Sequence, residues 1–287
     1  MRWKLARAFG IDIYIHWTFS LLIGYVLLNS LGVGAGSAVG LAAYLLSLLL
    51  TAFGCVVLHE LGHALMARRF GIPTRDITLY PIGGVARLER MSEQPREEFW
   101  IAVAGPAVNV AIVGILALAC EFLLQIPLIV ALIPTGTLTW NPLVDLAHVN
   151  VVLVLFNMLP AFPMDGGRVL RALLAGFLGR LTATVIAARL GAVFAAVFAL
   201  LGILGNPFLI LVGIFAFLAG QQELAMVRYR EGQRGARPLD AIPADADIVD
   251  VVPVEPHEQF SGSVWDGRSR AWVVWRNGRP VHTYWVE

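Results

Sequence analysis

Apolar residues dominate the first 226 positions of the chain in long, nearly unbroken runs, interrupted by a few short polar segments. The runs predict six membrane spans: His16–Leu31, about Val39–Arg68, a third from near Ser92 and Glu93 to about Leu124, a fourth from about Leu143, then about 183–204 and 207–226. Gly32 to Ser37 reads as a flexible turn between the first two. Pro106 falls inside the third and implies a kink. The segment 126–142, with Pro127, Pro134 and Pro142, reads as a loop with an apolar middle.

Three segments break this pattern. Residues 72–91 are too polar to span and carry β-prone pieces around Ile77–Tyr80 and Val85–Leu88, which predict a small interfacial sheet. The fourth span ends in Asn157-Met-Leu-Pro160-Ala-Phe-Pro163-Met-Asp165-Gly-Gly167-Arg168, whose prolines and glycines should break the helix. Irregular backbone at membrane depth is tolerated only where protein or a watery cavity surrounds it, so a functional site is expected there. From Arg228 the sequence turns charged. Residues 228–256 read as a linker, and Ala271 to Trp285 as a hairpin turning at Asn277-Gly278, within a small tail module over 257–287. The expected organisation is a membrane domain at 1–227, the linker, and that tail.

Composition agrees with a mostly α-helical membrane protein carrying a small interfacial β segment and a small C-terminal β module. Of 287 residues, 58% are hydrophobic and only 14% charged, against roughly 25% in soluble domains. The net charge of +1 gives no reason to expect nucleic-acid binding. Lys and Arg are absent from 8–67, 97–167 and 190–227 and cluster at 2–7, 68–96, 168–189 and beyond 228. By the positive-inside rule each gap is a hairpin of two spans, with both termini cytoplasmic. The basic N-terminus leads into an apolar run too long for a signal peptide, so a retained first span is expected. Cys55 and Cys120 fall in apolar segments, where packing is expected rather than a disulfide.

The chemistry concentrates at His59-Glu60-Leu61-Gly62-His63. On a helix, positions i and i+4 share a face, so both imidazoles can hold one ion while Glu60 acts on a water that the ion activates. His59 lies nine residues before Arg68, roughly 14 Å along a helix, inside the bilayer but toward its cytoplasmic side. Ionisable groups are costly there and mark function. A catalytic zinc takes three protein ligands, and Asp165 is the natural third, being intramembrane and at similar depth. Glu60 is then the general base. A transporter or proton relay using the same residues is the rival reading.

Lesser candidates carry two readings each. Asn157 either donates to the substrate carbonyl or oxyanion, or ties the broken helix together. Gly83 and Gly84 either allow close approach of an extended peptide to a strand edge, or form an ordinary turn. Asn109 reads as an interhelical hydrogen-bonding residue, and His148 as too distant to ligate.

HELGH in one membrane helix, with NMLPAFPMDGG about a hundred residues later, resembles the site-2 protease family of intramembrane zinc metalloproteases. The resemblance covers about residues 1–225. It implies one Zn2+ on His59, His63 and Asp165, with Glu60 as base. The family's Asn before the DG motif matches Asn157, its GP-x-x-N helix matches Gly105 to Asn109, and Tyr80 to Gly84 resembles its membrane-associated β region. The implied activity is cleavage of single-span membrane proteins in or near their transmembrane segments, in the inner or plasma membrane of a prokaryote. No loop is long enough for the PDZ domain of many relatives, and the tail is too short for the paired CBS module of others. The tail is instead expected to serve a regulatory partner or self-association.

Overall fold

The computed structural model describes residues 1–31, 35–81, 83–90, 92, 94–235, 262–266, 271–277 and 279–284. They fall into two compact units, Met1–Gly235 and Ala236–Glu287.

The first unit opens with β structure. Strands β1 (Arg2–Ala8) and β2 (Ile11–His16) form an antiparallel hairpin. Its two loop residues, Phe9 and Gly10, both have positive φ (51° and 86°), the backbone of the tight turns that match strand twist. After helices α1 (Phe19–Leu31) and α2 (Ala35–Arg69), β3 (Thr74–Tyr80) returns parallel to β2, and β4 (Gly83–Leu88) pairs antiparallel with β3. The sheet order β1-β2-β3-β4 leaves β4 at one edge. Ile11, Ile13 and Ile77 pack with Leu61 and Ala64 of α2 in one buried cluster, which seats the sheet on the turn carrying the HELGH motif.

The remaining helices are α3 (Pro95–Leu124), α4 (Leu128–Leu132), α5 (Pro142–Asn157), α6 (Asp165–Leu178), α7 (Arg180–Leu204) and α8 (Phe208–Gly235). Among the described residues four helices, α2, α3, α7 and α8, are long and apolar enough to cross a membrane; α1 and α5 are shorter apolar helices of 13 and 16 residues. Large side chains such as Phe122, Leu123, Ile203 and Leu204 lie exposed on this bundle, as suits helices whose solvent is lipid.

Several boundaries differ from the sequence expectation. The interfacial sheet has four strands, because the alternation of Ile11, Ile13 and Ile15 with Asp12, Tyr14 and His16 makes residues 11–16 a strand rather than an approach to the first span. Helix α3 begins at Pro95 and continues through Pro106; Glu93, expected at its start, is outside the described residues. The break after α5 is shorter than expected, since Asp165 is already the first residue of α6. Helix α8 continues to Gly235, into the segment expected as linker, and residues 236–256 lie outside the described part.

In the second unit, β5 (Gly262–Asp266), β6 (Ala271–Arg276) and β7 (Arg279–Tyr284) form an antiparallel sheet. Asn277, between β6 and β7, has φ 50°, and Trp265 meets Trp272 edge-on at 5.6 Å. Gly278 and Trp285 are outside the described residues.

Candidate metal centre

Helix α2 places His59 and His63 one turn apart on its buried face, and Asp165 enters at the first turn of α6, where unpaired backbone N–H groups favour a carboxylate. The three ligand atoms form a nearly equilateral triangle. His59 Nε2 and His63 Nε2 are 3.0 Å apart, and each is 3.1 Å from Asp165 Oδ2. All three residues are buried.

The outward ring nitrogens explain why these atoms point inward. His63 Nδ1 lies 2.6 Å from the Ile101 carbonyl, which can only accept, so His63 donates. His59 Nδ1 lies 2.6 Å from Asn109 Oδ1. Asn109 Nδ2 donates to Asn150 Oδ1 at 2.7 Å, and Asn150 Nδ2 donates to the Leu146 carbonyl at 2.8 Å. This chain ends on an acceptor, so its direction is fixed and His59 also donates from Nδ1. Both Nε2 atoms are therefore lone pairs, facing each other and a carboxylate oxygen.

Such a set fits a cation and little else. Without positive charge among them the electron pairs repel. Tetrahedral zinc, with ligand bonds of roughly 2.0–2.1 Å, holds its ligands about 3.3 Å apart, close to the triangle observed. Gly105 on α3 supplies a second sign of fit. A Cβ there would collide with His63 Nε2 and come within 2.7 Å of His59 Nε2, so the space before both nitrogens stays open only because residue 105 has no side chain. His59, His63 and Asp165 thus have the chemistry and spacing to hold a metal ion.

Glu60 points elsewhere. It is half-buried, stands outside the ligand triangle, and its Oε2 accepts from the Ala86 backbone N–H on β4 at 3.0 Å. A Cβ at Gly84 would lie 2.5 Å from Glu60 Cγ, so this glycine makes room for the glutamate. Gly83 has φ 145°, a conformation few other residues adopt. Asn157 is not brought into the triangle; its Nδ2 donates to Leu153 O on its own helix at 2.9 Å. His148 bonds the Val130 carbonyl at 2.7 Å and is remote from it in partners.

Two features went unread in the sequence. Asn150 is fully buried and orients Asn109, yet looks like any polar residue in an apolar helix. Arg171, two turns along α6 from Asp165, is 1% exposed; its Nε donates to Glu98 Oε1 at 2.7 Å and its Nη1 to Glu223 Oε1 at 2.6 Å, while the guanidinium lies 4.7 Å from the Phe162 ring. This cluster clamps the Asp165 helix to α3 and α8. Its signal was a lone Arg171 following Arg168 in a segment otherwise apolar.

Residues 47–144 and 131–201 match the family model described as peptidase family M50. The chain is 34% identical to the zinc metalloprotease MJ0392 of Methanocaldococcus jannaschii, over 97% of this chain and 76% of that protein. It is also 34% identical to the putative zinc metalloprotease Rip3 of Mycobacterium tuberculosis, over 84% of this chain but only 63% of that relative. Among solved structures, the site-2 protease from Methanocaldococcus jannaschii aligns with a TM-score of 0.58 and 35% identity, over 78% of this chain and 95% of that one. The buried His-His-Asp triangle, the adjoining glutamate and the apolar helices around them sit within this match, and the chain belongs to peptidase family M50, the site-2 proteases.

Proposed function

We propose that in this zinc-dependent intramembrane protease His59, His63 and Asp165 hold one Zn2+ and Glu60 is the general base. The observation that carries the assignment is the triangle of two imidazole lone pairs and a carboxylate oxygen, with both Nδ1 protons committed to acceptors. Zinc, when bound, supplies a Lewis acid that activates water and polarises the peptide carbonyl. Glu60 takes the proton from the attacking water and later delivers it to the leaving amine. Asn109 and the Ile101 carbonyl hold the two rings in the orientation this requires.

The substrate class is a membrane protein cut in or near its transmembrane segment. A helical peptide bond is shielded by its own hydrogen bonds, so the substrate must unwind and regain backbone partners. Edge strand β4 is suited to supply them. A cavity of about 690 Å³ is lined by Val85 to Leu88 of β4, by Glu89 after it, and by Ile101 and Ala102 of α3, beside the carbonyl that orients His63. Gly83 borders open space on this strand, while Gly84 lies under the side chain of Glu60.

The membrane arrangement we infer has six spans, with α1 and α5 joining the four longer helices, and both termini on the cytoplasmic side of an inner or plasma membrane. The clusters of Lys and Arg at 2–7, 68–96, 168–189 and beyond 228 support that orientation.

Glu60→Gln tests the division of labour. Because Glu60 is a base and not a ligand, the purified variant should keep its zinc and lose proteolysis by several orders of magnitude. Normal cleavage by a zinc-loaded Glu60→Gln protein contradicts the mechanism.

A further inference from the structure

The edge of β4 is engaged within the chain by Glu60. Ala86 pairs in register with Ile77 of β3, yet its N–H bonds Glu60 Oε2, so it faces away from β3. In an antiparallel ladder, backbone groups of alternate residues face the partner and the open side, so Gly84 and Ala86 both present theirs to the open edge. Glu60 lies against both positions. Besides the 3.0 Å hydrogen bond at Ala86, its Cδ and Oε1 would each be 3.1 Å from a Cβ on Gly84. The side chain of the base is folded over the part of the strand that an added peptide must use.

We propose that the Ala86 N–H is a positioning group for Glu60 and also a donor that an arriving substrate strand must take, so that pairing on β4 and release of Glu60 toward the scissile bond are one event. This rests on the reading of Glu60 as base and of β4 as the substrate edge. One N–H donates a strong bond to one acceptor at a time. A substrate carbonyl that takes it displaces the carboxylate, and a carboxylate left beside the metal centre is free to receive a proton from water. A peptide still in helical form has its carbonyls engaged internally and cannot compete. The base is therefore freed by an unwound segment and stays docked when an intact transmembrane helix drifts past. The cavity lined by Val85 to Glu89 lies beside the strand.

The test compares two inactive variants of the zinc-loaded, detergent-solubilised full chain. Glu60→Gln keeps a carbonyl oxygen able to accept from Ala86, whereas Glu60→Ala removes the acceptor. The probe is a fluorescein-labelled, end-capped hexapeptide of alternating alanine and valine, read by anisotropy. If the donor is contested, Glu60→Ala binds the probe about fivefold more tightly than Glu60→Gln, the change expected from freeing one neutral hydrogen bond. Adding Ala86→Pro, which removes the N–H at an edge position where proline is tolerated, should weaken binding to both variants and abolish the difference between them. Equal binding by Glu60→Ala and Glu60→Gln, or a difference that survives Ala86→Pro, overturns the competition. Binding that does not respond to Ala86→Pro in either background overturns the β4 reading beneath it. A measurement independent of proline is hydrogen exchange at the Ala86 amide without peptide. It should be slow in the unaltered protein and at least severalfold faster in Glu60→Ala; equal rates overturn the proposal.

Discussion

The Nδ1 of His59 lies 2.6 Å from the side-chain oxygen of Asn109, fifty residues away on a different helix. That contact fixes which nitrogen of His59 is free to bind metal, and Asn150 fixes Asn109 in turn. Polar partners behind metal ligands govern ring orientation and ligand basicity, at a cost when removed of about 10–100-fold in metal affinity. Asn109→Leu should therefore hold zinc about 10–100-fold more weakly, as measured by competition with a chelator. Unchanged zinc affinity would show that the relay does not orient the ligand.

Gly105 faces the two Nε2 atoms with nothing but backbone. Gly105→Ala should lose most of its zinc while keeping its helix content, because the added methyl group occupies the space in front of the ligands. Metal analysis beside far-ultraviolet circular dichroism checks this. A folded variant with full zinc would mean that the helices move apart at little cost.

Arg171 is enclosed with Glu98 and Glu223. Removing Arg171 leaves Glu98 with only the longer Arg180 contact at 3.8 Å and takes from Glu223 its partner at 2.6 Å, and breaking a buried ion pair costs about 3–5 kcal/mol. Arg171→Met should lower the stability of the detergent-solubilised protein by about that amount, seen as a marked drop in its thermal midpoint. Because the clamp carries the helix that begins at Asp165, zinc should also leave this variant at a lower temperature. An unchanged midpoint would show that α6 is held by packing alone.

The grouping of His59, His63 and Asp165 was legible in the sequence because its chemistry is local: HELGH puts two imidazoles on one helical face, and an aspartate beside two glycines in a proline-rich break has no structural excuse in hydrocarbon. The supporting atoms were not. Asn109 and Asn150 are 41 positions apart and meet only because α3 packs on α5. Gly105 was visible as part of a motif, but its role follows from the position of two rings on another helix. The N-terminal hairpin was missed for a different reason. Charge gaps locate membrane hairpins, and within the gap from residue 8 to 67 the residues just before the expected first span were given no element, although Ile11, Ile13 and Ile15 alternate at the period of a strand. Gly84, read as a point of approach for a peptide, has the side chain of Glu60 lying over it.

The central claim is that Asp165 completes the zinc site with His59 and His63. Zinc content of purified, folded Asp165→Ala, set beside the unaltered protein, tests it most directly. The expected result is one zinc ion per chain in the unaltered protein and almost none in the variant after dialysis against a mild chelator. A variant that keeps its zinc would contradict the assignment and require another third ligand.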